Sequence, residues 1–230
     1  MTRQEATRKQ RIPLNRDRVL RAAVALADAT GIDALSMRRL AQELDVVPMA
    51  LYKHVANKEE LLDGMADAVV SEIDPPAAGP DWQRVVRGRI LSARRVLLRH
   101  PWAVRVIESR TGPTPAVLAY LDSMAWSFRD GGLSPDLTHH VMHAMGSRLL
   151  GFSQELFDTS GPSGPSGPPD RGLVARYPNI AELAATAAHD GGSTVGGGCD
   201  DQFEFEFALD LLLDGFENLR RQGWTSARKA

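Results

Sequence analysis

Two short helical patterns stand almost back to back between Ser36 and Val55, and that spacing constrains the fold more than any other feature. Ser36 can cap a helix, and Met37, Leu40, Ala41 and Leu44 follow at i, i+3, i+4, i+7. Asp45-Val46-Val47 interrupts the pattern. Pro48 can restart it, because the first helical position needs no N–H. Two helices joined by so short a turn form a helix-turn-helix, all-helical at its centre. The second helix, Pro48 to Val55, must then bury one side and show the other. Leu51 and Val55, at i, i+4, point into the core, which leaves Met49, Tyr52, Lys53 and the edge of His54 facing outward.

The outward set has the chemistry of a duplex reader. Tyr52 and His54 can reach phosphates or base edges, and Lys53 can neutralise phosphate. Met49 offers an apolar surface of the kind that reads thymine methyl groups. The charge distribution agrees. Residues 1–60 hold 11 Lys and Arg against 8 Asp and Glu, while the remainder holds 16 against 21. A basic front on an acidic body suits a protein that meets a polyanion at one end, although a solvated basic tail would show the same counts.

The pattern on either side is helical too. Residues 1–14 read as a disordered basic arm closed by Pro13. From Asn15, a candidate N-cap, apolar residues fall at Val19, Ala22, Ala23 and Leu26, and Gly31 offers a stop. Asn57 caps a fourth helix, with Glu60 three residues on as in a capping box. The stripe Leu62, Met65, Ala66, Val69, Val70 and Ile73 follows, and Pro75-Pro76 ends it. Spacing predicts further helices over 81–99, 101–109, 114–131, 135–158, 176–189 and 201–222. The Phe203, Phe205, Phe207 alternation runs on into Leu209, Leu212, Phe216 and Leu219, whose 3- and 4-residue steps decide for helix. Gly161 to Pro169 repeats with a three-residue period too short for a triple helix, so 159–172 reads as a mobile loop, and Gly191 to Gly198 as another. The expected organisation is an all-α chain: arm at 1–14, helix-turn-helix domain at 15–73 with its fourth helix as connector, and a larger helical ligand-binding and dimerisation domain at 74–230.

Three blocks carry a family resemblance: Ser36-Met37-Arg38-Arg39-Leu40-Ala41-Gln42-Glu43-Leu44, Leu51-Tyr52-Lys53-His54-Val55-Ala56-Asn57-Lys58, and Leu61-Leu62. Together they resemble the TetR family of transcriptional regulators, closest to its tetracycline-repressor branch. The likeness continues at Asp81-Trp82-Gln83, Leu97-Leu98-Arg99-His100 and Gly131-Gly132-Leu133. It implies a homodimer that binds palindromic double-stranded operator DNA and is released by a small-molecule effector. It also implies roles. Arg38 reaches toward a guanine, Pro48, Met49 and Ala50 face bases, and Tyr52 and His54 touch the backbone. Lys58 holds a phosphate together with the amides at the head of its helix, and Ser36 caps the second helix beside another. Two residues depart from the pattern. Asp45 stands where the turn usually has glycine, and Val47 stands where a capping Ser or Thr is common.

The same resemblance argues against tetracycline as the effector. The two histidines and the asparagine that hold the drug and its magnesium in that branch correspond here to Asp74, Arg89 and Ile107, and isoleucine ligates no metal. Candidate effector-lining residues are Arg89, Trp102, Ile107, Met124, Phe128, Val141 and Met142, an apolar and aromatic set with one cation. Residues of these types at helical spacing also make ordinary core. The stripe Phe205, Leu209, Leu212, Phe216, Leu219 and the stripe Val141, Met145, Leu149, Phe152, Leu156 suit a four-helix bundle with a second copy, or a monomer core. Dimerisation would double the base pairs read by one short helix. The switch would then favour a dimer whose reading helices are wrongly spaced for successive major grooves.

Other classes find less support. His139 and His143 share a helix face, but a zinc site needs a third ligand, and no metal or cofactor is expected. The sequence shows no nucleophile elbow, paired carboxylates or phosphate-binding glycine loop, so an enzyme is not expected. No apolar run approaches a membrane span, the lone Cys199 cannot pair within the chain, and no secretory signal is visible, which together read as cytoplasmic. Repressor and activator are indistinguishable at this level.

Overall fold

The structure, a computed structural model, describes residues 13–151, 175–179, 182 and 201–227. Among the described residues no strand occurs, and the architecture is carried by α1 (Arg16–Thr30), the 3-10 turn Ile32–Ala34, α2 (Met37–Glu43), α3 (Pro48–Leu51), α4 (Lys58–Val70), α5 (Trp82–Arg99), α6 (Ala103–Glu108), α7 (Pro115–Asp130), α8 (Pro135–Gly151) and α9 (Asp201–Arg221). Residues 1–12 of the expected arm at 1–14, residues 180–181 and 183–189 of the expected helix at 176–189, and the expected loops at 159–172 and 191–198 lie outside the described residues.

The chain divides into two compact units. One, the head unit, takes the described residues up to Pro76 together with Leu91–Ser123; the other takes Ala77–Ile90 and the described residues from Met124 onward. In this division the second half of α5, all of α6 and the first half of α7 fall with the head. Helices α5 and α7 each pass through both units without a break.

The head unit begins from closed helix ends. Asn15 accepts the Arg18 N–H at 2.8 Å, Ser36 the Arg39 N–H at 3.2 Å and Asn57 the Glu60 N–H at 2.8 Å, so each cap satisfies an amide that the helix itself cannot. Glu60 reaches back, but to the N–H of Ala56 at 2.7 Å, one residue before the cap. Behind these ends lies one core: Val19, Ala23, Leu35, Leu40, Leu51, Val55, Leu61, Met65 and Val69 are sealed from solvent, joined by Val96, Trp102, Ala103 and Val106 from α5 and α6. Helices α1 and α4 approach so closely that a Cβ on Gly64 would meet Leu20 Cδ2 at 2.7 Å. Glycine in a helix interior costs about 1 kcal/mol, and here it admits the neighbouring leucine.

The second unit is organised around α9, which shows three faces. Phe205, Leu209, Leu213 and Phe216 are buried, Glu206, Asp210, Asp214 and Glu217 turn to α5, and Phe203, Phe207 and Leu211 are exposed. Arg87 donates to Asp210 at 2.6 Å and to Glu206 at 2.7 Å, and Gln83 donates to Asp214 at 3.2 Å. Trp82 packs edge-on against Phe128 with ring centroids 5.8 Å apart, and its indole N–H donates to Glu217 at 3.2 Å. Gly131 lets that indole in, since a Cβ there would stand 2.4 Å from Trp82 Cγ.

Candidate nucleic-acid interface and effector-facing residues

The turn between α2 and α3 shows how this sequence makes a helix-turn-helix without the usual glycine. Val46 N–H donates to Ala41 O at 2.9 Å and Asp45 N–H to Gln42 O at 3.1 Å, the paired bonds of a Schellman stop. That stop requires a left-handed residue just beyond the helix, and Asp45 takes it at φ 53°. Aspartate tolerates this region better than most residues with a Cβ. Val47 then occupies the cap of α3 with no side-chain bond to offer, and the regular helix is only one turn long, Pro48–Leu51. The sequence pattern suggested Pro48 to Val55. The remainder is a tighter turn, in which the Leu51 carbonyl accepts from both His54 N–H at 2.8 Å and Val55 N–H at 3.0 Å.

This short rod presents its sides unequally. Leu51 and Val55 are 0% and 1% exposed, whereas Met49 and Tyr52 are 71% and 43% exposed. Large apolar and aromatic side chains standing in water on a folded surface mark a contact face. Pro48 and Lys53 are exposed beside them, and Ala50 and His54 are half-buried at its edges. Ser36, Arg38 and Arg39 are exposed at the start of α2. The Ser36 hydroxyl is committed to the α2 cap, so its first task is structural.

Lys58 is the first residue of α4, where the helix dipole disfavours a cation. It is exposed, and its charge adds to the pull of Arg105 that holds the Asp33 carboxyl below the usual carboxylate range; the Arg105 hydrogen bond is the larger cause. Of the amides at this helix end, that of Glu60 is already taken by Asn57.

The seven residues expected to line an effector site fall in both units. Trp102 is buried in the head core, and Ile107 packs against that core half-buried. Arg89, Met124, Phe128 and Val141 are buried in the second unit, with Met142 half-buried. Asp74, one of the three positions matched to the drug-binding set, is engaged otherwise: Ser92 Oγ donates to its carboxylate at 2.7 Å and Arg95 at 2.9 Å.

The stripe Phe205, Leu209, Leu212, Phe216, Leu219 suited either a second copy or a core within the chain, and Phe205 and Leu209 are fully buried within the chain itself. The exposed apolar row is Phe203, Phe207 and Leu211, with Phe203 and Phe207 stacked at 6.3 Å. Periodicity cannot tell these rows apart, because both fall on helical spacing. On α8, Val141 and Met145 are likewise buried, and the side chains of Leu149, Phe152 and Leu156 lie outside the described residues.

His139, His140 and His143 are exposed, with ring centroids 4.7–5.2 Å apart, and His140 packs edge-on to Trp224. Among the described residues no group of three or more His, Cys, Asp or Glu is placed to hold a metal ion. No helix among them is long and apolar enough to cross a membrane.

Sequence reasoning missed a polar cluster at the end of α5. His100 is buried, and its Nδ1 lies 2.8 Å from Asp28 and its Nε2 3.4 Å from Glu72. The Trp102 indole N–H donates to the same Asp28 oxygen at 2.6 Å. Arg99 donates to Glu72 at 2.6 Å. Burial pushes the Glu72 carboxyl up, but the hydrogen bonds from Arg99 and His100 outweigh it and hold the group below its ordinary value. The only signal in the sequence was an acidic residue, Asp28, in the last turn of α1, where the dipole disfavours it.

An all-helical chain with a helix-turn-helix whose second helix stands exposed belongs to the class of DNA-binding transcriptional regulators. Comparison with known proteins gives the family. The family described as bacterial regulatory proteins, tetR family, matches residues 19–65, and the tetracyclin repressor-like C-terminal domain matches residues 75–220. The transcriptional repressor DrrR1 of Streptomyces coeruleorubidus is 30% identical over 217 residues, which cover 91% of this chain and 79% of that protein. The class D tetracycline repressor of Escherichia coli is 37% identical over 213 residues, 89% of each chain. The crystal structure of ActR from Streptomyces coelicolor in complex with actinorhodin superposes with a TM-score of 0.68 at 29% identity, covering 90% of this chain and 98% of ActR. The chain belongs to the TetR family of transcriptional regulators.

Proposed function

We propose that the protein is a ligand-responsive repressor that binds a palindromic operator as a homodimer and is released by a small molecule other than tetracycline. The observation that carries this reading is the exposed rod Pro48–Tyr52, anchored from beneath by Leu51 and Val55. In this reading Arg38, Pro48, Met49 and Ala50 face base edges. Tyr52, Lys53 and His54 meet the backbone, and Lys58, with Ser36 beside the α2 cap, meets phosphates. The exposed row Phe203, Phe207 and Leu211 supports association with a second copy, which would place two rods on one duplex.

For the effector, the second unit offers Arg89, Met124, Phe128, Val141 and Met142, an apolar set with one buried cation. It suits a flat aromatic compound carrying an acidic group. ActR bound to actinorhodin, at 29% identity, supports the same class of ligand. The replacement of the drug-binding set by Asp74, Arg89 and Ile107 argues against tetracycline itself. Release follows from differential affinity of the effector for two states of the dimer.

Selection of bound DNA from a random pool tests the first half. A two-fold symmetric consensus should emerge. Tyr52→Ala and Met49→Ala should each weaken binding to it by about 1–3 kcal/mol, and Lys58→Ala should weaken all sequences alike and lower the salt slope by about 1. A consensus without symmetry, or one still bound by Tyr52→Ala at full strength, would refute the reading. Titration of actinorhodin and related aromatic acids into the complex tests the second half, with release expected from wild type and lost in Arg89→Met.

A further inference from the structure

A groove runs beside the exposed rod, between the start of α1 and the turn that leads into α3. Pro13, Leu14 and Arg18 stand on one wall, and Val46, Val47 and Ala50 on the other. Its volume is about 850 Å³. Most of these residues are apolar, and Val47 is 67% exposed at the cap position of α3. A large apolar side chain standing in water beside a contact face marks a place that something covers.

The sequence supplies an occupant. Residues 1–12 lead directly into Pro13 on the rim of the groove. Ile12, next to that rim, is branched and apolar. Before it the arm carries Arg3, Arg8, Lys9 and Arg11 against one acidic residue, Glu5. Five residues of chain span at most about 18 Å, so Arg8, Lys9 and Arg11 remain close to a groove that Ala50 also lines. Ala50 belongs to the rod assigned above to base edges, and the arm therefore starts at the border of the DNA-facing surface. The minor groove of B-form DNA, about 6 Å wide, excludes a helix but admits an extended arm. Where it is rich in A·T pairs it narrows, and its stronger negative potential draws in arginine and lysine.

We propose that Ile12 seats in this groove over Val47, and that Arg8, Lys9 and Arg11 grip the minor groove flanking each half-site. The inference rests on the regulator reading above and extends its operator contacts beyond α2, α3 and α4. The apolar seat fixes where the arm leaves the head. The three cations then add phosphate neutralisation and a preference for A·T-rich flanks, at base pairs that the rod does not read.

The test uses the full-length chain and the duplex enriched from a random pool by wild type, with the flanks outside the consensus made either A·T-rich or G·C-rich. Wild type should bind the A·T-flanked duplex about three- to tenfold more tightly. The triple variant Arg8→Ala, Lys9→Ala, Arg11→Ala touches no residue of the head core. It should enrich the same central consensus, lose the flank preference, and bind about tenfold more weakly, with a salt slope smaller by about 2–3 for each protomer. Ile12→Ser keeps every charge and should lose most of the flank preference. Tyr52→Ala, on the rod, should weaken binding to both duplexes alike and keep the preference. Wild-type binding indifferent to the flanks, or a triple variant with the wild-type slope and preference, would overturn the proposal. Full preference in Ile12→Ser would overturn the seat in the groove. Failure to enrich any duplex would instead overturn the regulator reading itself.

Discussion

The head unit and the second unit hold their helices by different means. In the head, α1, α2 and α4 are closed at their N-termini by side chains three residues from their targets, as Asp81 and Ser134 close α5 and α8 in the second unit, and the head helices share one continuous apolar core. In the second unit, α5 and α9 are zipped by Trp82, Gln83 and Arg87 against Asp214, Glu217, Asp210 and Glu206, pairs separated by more than a hundred residues. Local closure makes a small domain that is specified residue by residue. Remote pairing makes a frame whose specification waits until distant segments meet.

The contrast can be broken first at its apolar end. Leu51→Ala removes a fully buried anchor of α3 and should cost the head about 2–5 kcal/mol. Denaturant unfolding should show the loss, and hydrogen exchange should place it in α1–α4; an equal loss in α9 would mean that the two units do not differ as described.

Next comes the zipper. Hydrogen bonds from Arg220, then Arg221 and Trp82, outweigh burial and depress the Glu217 carboxyl to about 2. A depressed carboxyl stabilises the fold above its unfolded value, near 4.3, and that contribution fades as pH falls toward the folded value. Glu217→Gln should therefore cost about 1–2 kcal/mol at neutral pH. Its deficit against wild type should shrink between about pH 4.5 and 2. A deficit independent of pH in thermal unfolding would remove the charged pairing from the account.

Smaller effects sharpen the same contrast. Asn57→Ala opens the α4 cap and should lower head stability by about 1 kcal/mol without moving the second unit. Val47→Ser supplies the side-chain cap that α3 lacks and should raise head stability by about 0.5–1 kcal/mol in the same assay. No gain would mean that Pro48 already sets this helix start unaided.

The sites followed the same division. Asn15, Ser36, Asn57, the positive φ of Asp45 and the burial of Leu51 and Val55 were legible because caps, turns and i, i+4 spacing act within one or two helical turns. Trp102 was legible as a large buried side chain, but its partner Asp28 lies 74 residues away, so its place in the head core rather than beside Arg89 was not. The same holds for α9. Its period was plain, yet which of two apolar rows on helical spacing faces inward depends on where α5 and α8 lie.

The amino-acid sequence by itself determined an all-helical chain, the helix boundaries to within a few residues, and the outward chemistry of Pro48–Tyr52, since these depend on short-range backbone bonding and side-chain period. Only the tertiary structure decided that α5 and α7 each run through both units, that Asp28, His100 and Trp102 converge, and that Phe203, Phe207 and Leu211 are the uncovered row. Those outcomes depend on contacts between segments far apart in the chain, where no local energy term records which partner will arrive.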